Sequence, residues 1–350
     1  MSYKILTLGE KEEWAKSLEK LPVDQQDIYY TPEYYELYEK IGDGQAMCFV
    51  FEKDDDIALY PFLKNSVNDL GYDLDEDYFD IQGAYGYNGV VSSSYNLSFR
   101  KEFYRTFCKY CSKNNIIAEF VRYHPLIKNH KFSKDIIKIY LDRKTVFINL
   151  NNKELAIENK IDKSVIRNLK KANNFGLSVD NILGKVDDFI KIYHHTMKRV
   201  NSNSYLFFNR KYFENLFKLS SLVNVNVNYN NKTIATAVCF RYKKYFHYHL
   251  GASYSDYLSL RPNDLIFYGM IQASLKGESY FLHFGGGNSS FADDSLLRFK
   301  KKFSKDISCF YISKIIHNKT VYNSVCDSWA DAHPCQVKQF NNFLLKYREQ

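Results

Sequence analysis

The sequence predicts an α/β protein built from two similar domains in tandem, residues 1–150 and 151–350. Two features carry that expectation. The first is the stretch Tyr245 to Phe303, which reads as strand, polar loop, apolar helix, strand, glycine run and basic helix. A strand that feeds a loop and then a free helix N-terminus can seat an anionic phosphate group. The second is element order. Each half carries helices, then a meander of strands, then helix–strand units. No sequence repeat accompanies this order, and no Pro/Gly/Ser linker marks the boundary near residue 150.

The elements follow from local pattern. Residues 11–20 and 32–40 read as short helices, the second opened by Thr31 as cap and Pro32 at the first helical position. Strands over 46–51 and 57–64 flank the turn Lys53 to Asp56. A strand over 80–91 is interrupted by Gly83, Gly86 and Gly89. A helix over 99–113, a strand over 116–122 and a strand or strand pair over 138–150 complete the first half. The second half opens with a basic helix over 154–175, ended by Gly176. A strand over 177–183 and helices over 186–200 and 210–220 come next. A hairpin, 223–229 with 233–242, turns at Asn230, Asn231 and Lys232. After the 245–303 block, a strand over 309–316 and a terminal helix over 336–347 are expected.

Composition bounds the function. The chain has 350 residues, with 45% hydrophobic and 25% charged, a globular balance. The formal charge of +8 suits an anionic substrate such as a nucleotide. Long basic runs of the kind a dedicated DNA binder carries are missing, so DNA is not an expected partner. Thirty Tyr and 27 Phe exceed what a core needs. Surplus Tyr lines sites for sugars or bases, or else reflects an AT-rich coding sequence. Seven cysteines, scattered, give no zinc-ribbon spacing. Cys108 and Cys111 fall on one helical face and read as core thiols. Reduced thiols imply the cytoplasm. No apolar run approaches the ~20 residues of a membrane span. Neither HExxH, GxSxG nor a metal set is present. No metal is expected, and direct transfer between two bound substrates is favoured.

Several constellations could carry chemistry. Gly83 to Gly89 packs three glycines around Tyr85, Tyr87 and Asn88. It is either a ligand-facing loop or a bulged strand with core aromatics. Arg122 and His124 end a strand, where α/β sites often open, or form a surface pair. Arg167, Lys170 and Lys171 share a helix face that could hold phosphates or face solvent. His247 and His249 alternate along a strand. Either could take a proton near neutral pH, or sit hydrogen-bonded in the core. Gly285, Gly286, Gly287 and Asn288 follow a strand at once and lack both GxGxxG and P-loop spacing. Asp293 or Asp294 caps the next helix. Lys300 could meet a phosphate or a developing oxyanion.

Taken together these residues resemble a known group. Tyr30-Thr-Pro-Glu-Tyr34, Tyr85-Gly-Tyr-Asn-Gly89, Arg122-Tyr-His-Pro-Leu126, Arg167-Asn-Leu-Lys-Lys-Ala172, Tyr193-His-His-Thr-Met197, His249-Leu-Gly-Ala-Ser253, His283-Phe-Gly-Gly-Gly287 and Arg298-Phe-Lys-Lys-Lys-Phe303 look like the FemAB-like branch of the GNAT acyltransferase superfamily. The resemblance implies two tandem GNAT-like domains, each a mixed, mainly antiparallel sheet flanked by helices. The C-terminal domain would carry the acyl-CoA site.

The chain is most similar to the subgroup that acylates the amine of a nucleotide-linked amino sugar, of the dTDP-amino-dideoxysugar hydroxybutyryl transferase type. That implies acyl-CoA as co-substrate and a dTDP- or UDP-linked amino sugar as acceptor. His249, Asp294 and Lys300 would be catalytic. Tyr85, Tyr87, Asn88, Arg122, His124, Arg167 and Asn288 would hold the acceptor. Gly251, Arg261, Asn263, Asp264, Gly285, Gly286 and Gly287 would hold the donor. The loop Leu260 to Asp264 departs from the group's usual glycine-rich form. Two alternatives remain: an aminoacyl-tRNA-dependent transferase acting on a peptidoglycan precursor, and a binding protein that has kept the scaffold without the chemistry.

Overall fold

The structure, a computed structural model, describes residues 2–151, 161–291 and 293–349. The chain divides into two compact units, 1–142 with 310–350, and 143–309. Among the described residues no helix is long and apolar enough to cross a membrane.

The first unit starts with β1 (Ser2–Thr7), α1 (Lys11–Glu19) and α2 (Pro32–Glu39). The Thr31 hydroxyl accepts from the Tyr34 N–H at 3.3 Å, and Pro32 is the first helical residue, so α2 begins where its cap dictates. β2 (Gln45–Lys53) and β3 (Asp56–Ser66) form a hairpin with Asp54 in the left-handed region. β4 (Phe79–Gln82), β5 (Val91–Ser92), α3 (Leu97–Lys113), β6 (Ile116–Arg122) and α4 (His130–Ser133) follow. The predicted strand over 80–91 is thus two short strands flanking a glycine loop. Phe99, Phe103 and Phe107 of α3 pack on Phe49, Phe51, Tyr60 and Phe62 of the hairpin. Cys111 joins this core, whereas Cys108, expected there too, is exposed.

The second unit takes in most of β7 (Tyr140–Asn149) and then α5 (Lys163–Asn174). The start of the helix expected over 154–175 lies outside the described residues. β8 (Ser178–Asp180), α6 (Val186–Arg199), α7 (Arg210–Leu216), β9 (Leu222–Tyr229), β10 (Lys232–Tyr242) and β11 (Tyr245–Ser253) come next. Asn230 and Asn231 both take positive φ in the β9–β10 turn, as a tight two-residue hairpin loop requires. α8 (Pro262–Leu275), β12 (Phe281–Gly286) and α9 (Ser295–Lys300) complete the unit. Its sheet runs β7-β12-β11-β10-β9-β8, antiparallel except for the parallel pair β11–β12. α8 buries Leu265, Ile266, Phe267, Met270 and Ile271 against Val225, Val227, Ala237, Phe246 and Leu282. A Cβ on Gly269 would lie 2.8 Å from Val179 and 2.9 Å from Val225, so a glycine there lets α8 sit close on the sheet.

β13 (Asp306–Ile316) returns the chain to the first unit, where it pairs antiparallel with β6. There the sheet order is β1-β2-β3-β4-β6-β13, antiparallel except for β4–β6, with β5 beside β3. α10 (Lys319–Ala332) then packs Tyr322, Val325 and Trp329 on Val67, Ile117 and Ala118. The expectation assigned 151–350 to one domain and a helix to 336–347. Instead 310–350 belongs with the first unit, and the terminal stretch holds only a short α-helix, Val337–Phe340, and a 3₁₀ turn, Lys346–Arg348, among the described residues. The anchor is buried Asp80, which accepts from Tyr347 Oη at 2.9 Å and Arg348 Nε at 2.7 Å.

Candidate active site

The parallel ladder between β11 and β12 is short. Tyr245 pairs with Phe281, Phe246 with Leu282 and His247 with His283, and there it ends. Both strands run on, β11 to Ser253 and β12 to Gly286. Each slips register against its other neighbour just past this point. Val238 faces Leu250 while Cys239 faces Tyr248, which leaves His249 as an extra residue. His283 faces Phe147 while Gly285 faces Val146, which leaves Phe284 extra. A β-bulge bends its strand and breaks the ladder. Two bulges at one level part the strands, and the main chain of 248–251 and 284–286 flanks the opening without strand pairing across it. Such an edge can accept an extended ligand by backbone hydrogen bonding.

Lys300 is placed at this opening. It is 4% exposed, and its Nζ donates to the Gly286 carbonyl at 2.6 Å. The same atom lies 5.4 Å from the Tyr248 ring centroid. Burial pulls its pKa down to about 7, partly countered by Asp294. It therefore exists as both amine and ammonium at neutral pH. Gly285 has φ +76°, a conformation L side chains resist, and this turns the strand end toward Lys300. A Cβ on Gly251 would lie 2.4 Å from the Tyr248 hydroxyl, so only glycine leaves room for that phenol.

The other two expected catalytic groups have different surroundings. His249 is buried, with its Nε2 2.7 Å from Tyr212 Oη and its ring 4.6 Å from Phe240. Burial, then the neighbouring His247 ring, lowers its pKa to about 3, so the imidazole is neutral at physiological pH. Asp294 has both oxygens engaged. One accepts from Leu297 N at 2.8 Å and caps α9. The other accepts from Asn288 N, Ser289 N and Ser289 Oγ at 3.0–3.1 Å. Burial raises its pKa, but these hydrogen bonds outweigh it and hold the carboxyl below its ordinary value. A Cβ on Gly287 would come within 2.2 Å of Asp294, so the glycine run and the cap form one device. Asn288 itself is exposed.

The N-terminus of α8 stands after the 3₁₀ turn Ser255–Leu260. Arg261 precedes it with φ +68° and no side-chain cap, Pro262 has no N–H to offer, and Asn263 follows. Asp264 is buried and accepts from Asn168 Nδ2 at 3.0 Å. Burial raises its pKa, against Asn168, Arg261 and Lys302. On α5, Lys163, Arg167, Lys170 and Lys171 are all exposed. Asn168, Tyr212 and Tyr248 did not stand out in the sequence. Only Tyr248 carried a local signal, its place between the two histidines.

In the first unit the loop 83–89 is a hydrogen-bonded knot. Arg122 Nη2 donates to the Gly83 and Ala84 carbonyls at 2.6 and 2.8 Å. Asn88 Oδ1 accepts from Arg122 N at 2.7 Å, and the Asn88 carbonyl accepts from Asn129 Nδ2 and Tyr30 Oη. His124 Nδ1 accepts from the Leu126 and Ile127 N–H groups, so its Nε2 proton points to Asp27 Oδ2, 2.8 Å away. Asn88, His124 and Asp27 are fully buried. Asn88, Arg122 and His124, expected to hold a ligand, here tie the loop together, because buried polar groups need partners. Tyr85 and Tyr87 remain half-buried, with the Tyr87 ring edge-on to Tyr29 and His124.

Residues 160–301 match the family model described as Acetyltransferase (GNAT) domain. A comparison with curated proteins finds no match. Among solved structures the chain is similar to FemX, at 14% identity over 92% of this chain and 99% of that chain, with TM-score 0.71. It is also similar to L-PGS from Bacillus licheniformis, at 11% identity, 89% and 93% coverage and TM-score 0.55. The C-terminal domain of a putative lysylphosphatidylglycerol synthetase from Agrobacterium fabrum gives 13%, 88% and 93%, and 0.51. At these identities the likeness is one of fold. Residues 160–301, the stretch similar to a GNAT acetyltransferase domain, carry the split strands, the glycine run and Lys300.

Proposed function

We propose that the protein is an N-acyltransferase that moves an acetyl- or 3-hydroxybutyryl-type group from acyl-CoA to the amine of a dTDP- or UDP-linked amino deoxysugar, for surface polysaccharide assembly. The observation that carries the reading is the opening between β11 and β12 with Lys300 at its edge. An extended thioester arm would hydrogen bond to the unpaired edge. The acceptor nitrogen attacks the thioester carbon, its proton passes to a base, the C–S bond breaks, and the thiolate leaves after receiving that proton from the protonated base. N–H groups among residues 249–251 would stabilise the oxyanion. The neutral amine of Lys300 would take the proton, since its pKa of about 7 suits a base at neutral pH better than His249 at about 3. Half-buried Tyr85 and Tyr87 offer ring faces and hydroxyls to a sugar or base.

A second reading, aminoacyl-tRNA as donor, has its own support. The α8 N-terminus offers a proline and a buried carboxylate where a pyrophosphate cradle offers glycine N–H groups. The exposed basic face of α5 suits a polyanion, and the chain's fold is like that of FemX along its length. The deciding experiment is thiol release from a panel of acyl-CoAs with dTDP- and UDP-linked amino sugars. Release that needs both partners supports the first reading. No release with any pair, together with salt-sensitive tRNA binding, supports the second.

A further inference from the structure

The second unit has a pocket of about 340 Å³ lined by Asn181, Leu183, Leu222, Arg241, Ala273 and Lys276, among others. It lies at the far end of α8 from the opening described above. Ala273 lies in the last turn of that 14-residue helix and Lys276 is its C-cap, ~20 Å from the first turn. On the sheet, Arg241 pairs with Phe246, before the level at which β11 and β12 part.

The lining has two cations and no carboxylate. Arg241 is half-buried. One Nη2 donates to the Ala273 carbonyl at 2.7 Å and closes the α8 C-terminus. Its Nε is buried and has no hydrogen-bond partner, and its guanidinium lies 5.4 Å from the Phe246 ring. Among the described residues no carboxylate forms an ion pair with it. A cation removed from water without a counter-ion is costly, and a guanidinium recognises carboxylates through paired N–H groups. Lys276 adds a second positive charge, and Leu183, Leu219, Leu222 and Val223 supply apolar walls. Leu183, at the lip, is 55% exposed.

We infer that this pocket is a second binding site, separate from the acyl-transfer opening, for a small amphipathic carboxylate: an anionic head on Arg241 and Lys276 and a short hydrocarbon body on the leucines. The site binds a free acid of modest chain length at the opposite end of the helix that leads away from the acyl-transfer opening.

The test is calorimetric titration of the full chain with hexanoate, with hexan-1-ol as the uncharged control. Hexanoate binding at least about tenfold tighter than hexanol is expected, since the head group's charge-assisted hydrogen bonds carry the difference. Lys276→Gln and Leu183→Asp, both at the surface, each weaken hexanoate about threefold or more, and Arg241→Gln weakens it further. Lys300→Met leaves it unchanged. Equal affinity for acid and alcohol overturns the inference, as does absence of hexanoate binding at about 10 mM or unchanged binding in the two surface variants. Those variants keep the outcome readable even if Arg241→Gln fails to fold through loss of the helix cap.

Discussion

If Lys300 serves as the proposed base, stability and chemistry conflict at this residue. Its side chain is buried beside Gly286 and Tyr248 with no carboxylate in salt-bridge contact among the described residues. A lysine whose pKa falls on folding binds fewer protons in the native state. Native stability therefore rises with pH between about 7 and the ordinary 10.5, and the full cost is present below 7. Lys300→Met is expected to raise stability at pH 6 by about 1–3 kcal/mol, read by urea unfolding, and to lower turnover about 100-fold or more. With Lys300 as base, the rate rises with pH up to about 7 and then levels. A rate that falls above 7 instead would assign the ammonium form to the chemistry. His317 shows the opposite case. Burial pushes its pKa down, but hydrogen bonds to Cys108, Cys111 and Glu119 carry it up to about 12. The pair with Glu119, at 2.9 Å and shared with Tyr60 Oη, is thus a lasting ion pair whose stabilisation is complete below pH 6.5 and lost only in strong alkali. Glu119→Gln leaves a buried imidazolium unpaired and should destabilise the first unit by about 3–5 kcal/mol, measured by the unfolding midpoint at pH 7.

At the scale of elements, α8 and the bulges around it decide what the opening can take. Asp264 puts a buried carboxylate in the first turn of α8, favourable for the helix dipole and unfavourable for any incoming phosphate. Because burial raises the Asp264 pKa despite the helix dipole, Asp264→Asn should leave stability at pH 7 unchanged or slightly higher while lowering the KM of an anionic donor severalfold, measured by steady-state kinetics with kcat little changed. The order strand, loop, helix, strand, glycine run was legible in residues 245–303 because apolar runs and glycines punctuate it locally. So was the α2 start, from Thr31 and Pro32. The bulge at His249 was not, since it is a register slip against Cys239, ten residues away along the chain and visible only once the strands pair. Tyr212 against His249 and Asn168 against Asp264 are likewise long-range meetings. Asn88 and His124 show why a site is hard to read locally: residues that serve ligands and residues that pin loops have the same chemistry. Their burial separates the two roles, and burial is not written in the local sequence. α10 could have been found: Tyr322, Val325, Cys326 and Trp329 repeat at helical spacing behind the Asn318 cap.

At the scale of the whole molecule, the chain's two compact units are not two halves of the sequence. The first unit is discontinuous, closed by 310–350, and the second is the uninterrupted 143–309. The stretch that matches the GNAT domain model, 160–301, is shorter than the second unit. It omits β7, which pairs with β12 from Asn149 opposite Phe281 to Thr145 opposite Gly286. Without β7 the strand that carries the glycine run would become an open edge, with Leu282 and Phe284 next to unpaired backbone. Val146, Ile148 and Leu150, all nearly fully buried in the same core as Leu282, would be lost as well. A fragment of residues 160–301 is therefore expected to aggregate, whereas residues 143–309 keep every strand of that sheet. Removing residues 310–350 should act on the other unit: it takes away the strand paired with β6 and the Trp329 and Tyr347 side chains that cover Ile117 and Ala118. Thermal unfolding and hydrogen exchange read this directly. In the truncated chain, protection should vanish from β3, β4 and β6 and survive in β9, β10 and α8. Equal loss of protection in both regions would show that the two units fold as one.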